Sequence, residues 1–162
     1  MILGLSTSAF TAVHVALSLA GIATGLVVLF AMVRGSATPT WTALFLATTV
    51  LTSATGFPIP PPGLDPPRIV GILSLVLLAI AIAALYVYRL AGHWRWLYVV
   101  TATAALYLNC FVGVVQTFQK VAFFNALAPT QAEPPFAIAQ GVVLVAFIVL
   151  GAVAVRRFRP AH

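Results

Sequence analysis

From Trp96 to Gln119 the chain carries no charged side chain, and Lys120 closes the run. The stretch, WLYVVTATAALYLNCFVGVVQTFQK, is long and apolar enough to cross a bilayer as a helix. One side of it is not apolar. At ~100° per residue, Tyr98, Ala102, Ala105, Asn109, Gly113, Gln116 and Lys120 share an arc of roughly 80°. Lipid cannot satisfy an amide or an ammonium, so a membrane helix turns such a stripe towards other helices or water. The remaining segments are expected to be arranged around it.

Lipid must be the solvent for most of this surface. Only 6% of the residues are charged and 62% are hydrophobic, with a mean hydropathy of +1.13. A soluble domain carries about 25% charged residues. A single bundle spanning residues 1–162 is expected, with no second domain. The net charge of +6 does not indicate nucleic acid, because the cations are scattered among apolar runs and form no basic face. They act instead as topology signals. The single cysteine, Cys110, lies mid-segment and excludes an intramolecular disulfide. The N-terminus, MILGLSTSAF, has no Lys or Arg, and the apolar run behind it exceeds a signal-peptide core. It reads as a retained helix.

The pattern gives an all-α membrane bundle of five spanning helices, at about residues 8–33, 41–57, 69–90, 96–120 and 136–155. The first contains Gly21-Ile-Ala-Thr-Gly25, a GxxxG pair suited to close helix approach, expected within the chain rather than in a dimer. Thr7, Thr11, His14, Ser18, Gly21 and Gly25 share one face of it. The second span is short, and its Thr48, Thr52 and Thr55 are expected to bond their own backbone carbonyls. Between Gly56 and Pro67, six prolines predict a stiff connector without helix or strand. The third span has Ser74 as its one markedly polar residue before the tyrosines, which marks it as the lipid-facing helix. Tyr86, Tyr88, Trp94, Trp96 and Tyr98 then cluster around Arg89, His93 and Arg95, as an aromatic belt at one membrane surface. Residues 121–136 form a surface loop with a short interfacial turn over Phe123 and Phe124.

With five spans, Arg34, Arg89, Arg95, Arg156, Arg157 and Arg159 fall on one side. Arg68 and Lys120 fall on the other, with both acids, Asp65 and Glu133. The positive-inside rule then puts the N-terminus outside and the C-terminus in the cytoplasm.

This topology brings polar side chains of three helices to the outer half of the membrane. His14 lies roughly 6–9 Å deep, Gln116 at a similar depth and Asn109 roughly 10 Å deeper, at ~1.5 Å per residue. Thr52 and Thr55 belong to the same half. The candidate ligand-binding set is therefore His14, Thr52, Thr55, Asn109, Gln116 and Lys120, with Asp65, Arg68 and Glu133 at the mouth. Against this stands plain structural use. The amides can hold helices together at about 0.6–2 kcal/mol each, Lys120 can snorkel, and Asp65 can simply pair with Arg68.

Several chemistries lack their residues. His14 is outside while His93 and His162 are inside, so bis-histidine haem is not expected. No Cys, His or carboxylate spacing fits a metal site, and GxSxG, P-loop and HExxH motifs are missing. No cofactor and no catalytic group is expected. Two functions remain. One is a non-enzymatic binding or accessory protein whose outer patch meets a lipid, a quinone-like molecule or a partner membrane subunit. The other is a small transporter or channel, which at this size would need a homo-oligomer with a shared pore.

The runs WTALFLATTVLTSATGF, IVGILSLVLLAIAIAALYVYRLAG, WRWLYVVTATAALYLN and LAPTQAEPPF cover most of the chain. They resemble a family of small polytopic bacterial inner-membrane proteins with no known activity. The most distinctive pieces are Thr52-Ser53-Ala54-Thr55-Gly56-Phe57 and Ala128-Pro129-Thr130-Gln131-Ala132-Glu133-Pro134-Pro135-Phe136. The resemblance implies a bacterial inner-membrane location.

Overall fold

The structure is a computed structural model that describes residues 1–61 and 63–160. Among these it is 79% helical and contains no strand. Six helices follow in order: α1 Thr7–Val33, α2 Pro39–Gly56, α3 Pro66–Ile82, α4 His93–Lys120, the short α5 Ala122–Leu127, and α6 Pro134–Arg157. A π-helical turn, Ala83–Val87, extends α3. Four stretches are long and apolar enough to cross a membrane: Thr7–Val33, Pro66–Val87, His93–Lys120 and Pro134–Arg157. The 18-residue α2 is not among them, although at 1.5 Å per residue it is about 27 Å long.

The helix starts correct the sequence reading. Read as a breaker, proline puts the starts of these spans at residues 41, 69 and 136. Instead α2, α3 and α6 begin on prolines at their first or second position. A proline there gives up an N–H that has no intrahelical acceptor anyway, and its fixed φ suits the first turn. Asp65 caps α3 by accepting from the Arg68 N–H at 3.1 Å. Ser6 caps α1 by accepting from the Ala9 N–H at 3.2 Å. At the far end of α1, Gly35 takes φ +81°. The Ser36 N–H donates to the Ala31 carbonyl and the Gly35 N–H to that of Met32. This pairing satisfies the last carbonyls and turns the chain into α2.

Helix α4 touches every other long helix, and α1 and α2 form the most extensive pair. The stripe on α4 faces inward, with Tyr98, Ala102, Ala105 and Asn109 buried. Across the middle of the bundle Leu29, Phe45, Leu78, Leu106 and Ala105 pack into a sealed core. The glycines of α1 permit this. A Cβ on Gly25 would lie 2.5 Å from Leu106 Cδ1 and 2.8 Å from the Phe45 ring. The GxxxG face is thus a packing face within the chain.

The two ends of the bundle are distinct. At one end, a Cβ on Gly35 would meet the Arg157 carbonyl at 3.1 Å. There Arg95 also donates to the carbonyls of Val155 and Phe158 at 2.9 and 2.7 Å, closing the C-terminus of α6. Tyr88 stacks on Trp94 with ring centroids 3.7 Å apart. Tyr98, expected in the aromatic belt, is instead buried against Phe158. At the other end, α5 lies across the α4–α6 turn, with Phe118 packed on Phe124 and Phe136. The third span, expected to be the most lipid-facing, is largely exposed, with 22% of its apolar stretch buried. It is α6 that buries the least of its length, and Ser74 of α3 is buried.

Candidate functional site

The sequence-predicted residues resolve into separate small groups. On α1 and α2, His14 Nδ1 lies 2.9 Å from Thr55 Oγ1. The Thr55 hydroxyl proton already points to the Leu51 carbonyl at 2.7 Å. Its oxygen is therefore left to accept from the His14 ring. Thr52 donates to the Thr48 carbonyl at 2.8 Å and is buried. Thr48, Thr52 and Thr55 are thus bonded along their own helix, as their placement suggested.

One level deeper, α1 meets α4. The Ser18 hydroxyl donates to Asn109 Oδ1 at 2.8 Å, and Asn109 Nδ2 donates to the Ser18 carbonyl at 3.3 Å. Gly21 lets this amide approach: a Cβ there would sit 3.0 Å from both Asn109 Nδ2 and Thr49 Oγ1. The Thr49 hydroxyl is buried without a partner among the described residues. Ser18, on the expected polar face of α1, is the residue that completes this clasp. Thr49 went unread, because a lone threonine beside Thr48 carries no signal of its own.

Gln116 is half-buried, and its Oε1 has no partner among the described residues. Lys120 is exposed at the end of α4, with its charge near His14. His14, Thr55, Gln116 and Lys120 thus occupy the same end of the bundle, while Asn109 and Thr52 are held in the helix contacts below.

The mouth residues are tied into the connectors. Arg68 is 8% exposed and bridges Asp65 at 2.8 Å. It also donates to the Phe57 carbonyl at 3.3 Å and to the Ile59 carbonyl. This one guanidinium fastens the end of α2 to the start of α3. Glu133 precedes α6 and accepts from the Thr130 hydroxyl at 2.8 Å and from backbone N–H groups of Thr130 and Ala132. The Thr130 hydroxyl, foremost among these donors, holds its carboxyl below the usual range. Two further glutamines brace α4 from outside. Gln131 donates to the Val115 carbonyl at 3.1 Å, and Gln140 of α6 donates to the Phe111 carbonyl at 3.2 Å.

Two hollows lie at the opposite, arginine-bearing end. A cavity of about 230 Å³ opens between α1, α2, the end of α3 and α4, lined by Val28, Met32, Thr42, Leu85, Tyr98 and Phe158 among others. A groove of about 460 Å³ runs beside it along the last turns of α1. Sequence reasoning missed both: the walls of the cavity come from five segments, and the groove is formed by α1 and the connector that follows it.

No protein-family model, curated protein or solved structure matches this chain.

Proposed function

We propose that the protein is a five-span, non-enzymatic binding or accessory protein of a bacterial inner membrane, with its N-terminus outside and its C-terminus in the cytoplasm. Its candidate ligand-binding side chains are His14, Thr55, Gln116 and Lys120, grouped in the outer half. The observation that carries this reading is the sealed middle of the bundle, where Leu29, Phe45, Leu78 and Leu106 close the space between two polar ends. Such a core supports binding at an end rather than passage through the protomer, and a transporter or channel would need a pore shared between copies. The length of α2 and its packing along α1 support counting it as a span. The resemblance to polytopic bacterial membrane proteins supports the location.

A histidine and a glutamine beside a cation suit a headgroup or partner that offers hydrogen-bonding groups and a negative charge. Two experiments test this on a chain carrying Cys110→Ala. His14→Cys and Gln116→Cys should cross-link in native membranes. Gln116→Leu should release whatever lipid or partner co-purifies with the parent chain. Cross-linking with every bound molecule retained in Gln116→Leu would reduce the outer seam to helix adhesion.

A further inference from the structure

We infer that the groove at the arginine-bearing end is a binding site for an anionic phospholipid of that leaflet. The inference shares with the reading above only the placement of the chain in a membrane, and uses none of the outer-seam residues. The groove floor is Leu26, Val27, Phe30 and Ala31, and its rim carries Arg34, Ser36 and Thr38. Val27 and Phe30 are exposed on the outer surface of α1, so an acyl chain enters sideways from the bilayer without leaving an apolar surrounding.

The rim selects the headgroup. Arg34 is exposed and forms no ion pair among the described residues, where the one salt bridge is Arg68–Asp65 at the other end. Arg157 borders the same turn through its backbone, and Arg95 is already bonded to the carbonyls of Val155 and Phe158. Thr38 makes no capping bond to α2, and its hydroxyl is buried in the wall without a partner among the described residues. Both acids of the chain lie at the opposite end, before α3 and α6. An exposed guanidinium with the exposed Ser36 hydroxyl on the same rim matches a phosphate diester in charge and hydrogen-bonding capacity. Basic pockets between membrane helices on the cytoplasmic side take such headgroups.

Ser36 and Thr38 also line the inner cavity, so groove and cavity share a wall. Beyond that wall are Val28, Met32, Leu85 and the buried Tyr98. The shared wall gives a second acyl chain an apolar place to lie, with the phosphate held at Arg34 between the two. Trp41, exposed at the start of α2, stands at headgroup level beside it.

The test uses the full chain in a neutral detergent, titrated with phosphatidylglycerol or phosphatidylcholine of identical acyl chains, and read by native mass spectrometry and thermal unfolding. Phosphatidylglycerol should form a discrete adduct and raise the unfolding midpoint, and phosphatidylcholine should do so at least tenfold more weakly. Arg34→Gln, an exposed change, should weaken the phosphatidylglycerol adduct about tenfold and leave the lipid-free midpoint alone. Ala31→Trp, which fills the groove floor, should abolish it. Gln116→Leu should leave this adduct intact, so failure of the outer-seam reading does not touch it. Equal binding of the two lipids would overturn the assignment. So would an equal loss in Arg156→Gln, which indicates diffuse charge attraction, or protection by inorganic phosphate alone, which indicates a free-anion site.

Discussion

Gly25→Leu is expected to lower the stability of the bundle in detergent by about 3 kcal/mol, the upper part of the usual range for overpacking a core. Already a methyl group at this position meets Leu106 and two atoms of the Phe45 ring at 2.5–2.9 Å. Leu106 ends in a flexible side chain and can turn aside, but the Phe45 ring is enclosed. Gly25→Ala should therefore cost a smaller amount of the same sign. Gly141→Ala is the matched control, because a Cβ there meets nothing within 4 Å. It removes a helical glycine at no steric cost, so its midpoint should be unchanged or higher. Thermal unfolding of the three variants checks the order. Equal effects at Gly25 and Gly141 would mean that α1 does not approach α2 and α4 as described.

The second large effect is expected at Arg68. Arg68→Ala leaves the carbonyls of Phe57 and Ile59 and the Asp65 carboxylate without their shared donor. Breaking a buried ionic arrangement from one side costs about 3–5 kcal/mol. The lower end applies here, because the Asp65 side chain is 38% exposed. Arg68→Lys keeps the charge but not the fork, so it should recover only part of the loss. Unfolding midpoints and protease cleavage within residues 57–65 give the readout. A loss in Arg68→Ala below about 0.5 kcal/mol, the scale of an ordinary surface substitution, would remove Arg68 from its role as a fastener.

These two residues illustrate what the sequence conveyed. Gly21 and Gly25 were legible because glycine spacing on an apolar helix has one common physical use, close approach. The inward stripe of α4 was legible because period and polarity agreed from Tyr98 to Asn109. Arg68 was harder to read. Its pairing with Asp65 follows from their spacing, but its bonds to Phe57 and Ile59 depend on how the proline connector folds back. The helix starts were misjudged because proline is a breaker inside a helix and a starter at its first turn, and only capping geometry separates the two. The order of exposure was not legible, because lipid-facing and helix-facing surfaces are equally apolar in a membrane: α3 is largely exposed, and α6 more so. In α3, Ala81 lies in the core beside the tightly packed Leu78, and composition alone does not announce that. Tyr98 was assigned to the interface on its neighbours' company, whereas its place in the inward arc was the better guide.

The central claim is that α2 crosses the membrane and the arginine-bearing end is cytoplasmic. Ser36 and Leu64 flank α2 and are both exposed, so single cysteines there test the claim in a chain carrying Cys110→Ala. With a membrane-impermeant maleimide, Leu64→Cys should label in intact cells and Ser36→Cys only after the membrane is permeabilised. Labelling of both positions from the same side would contradict the five-span arrangement, and labelling of Ser36→Cys alone in intact cells would invert it.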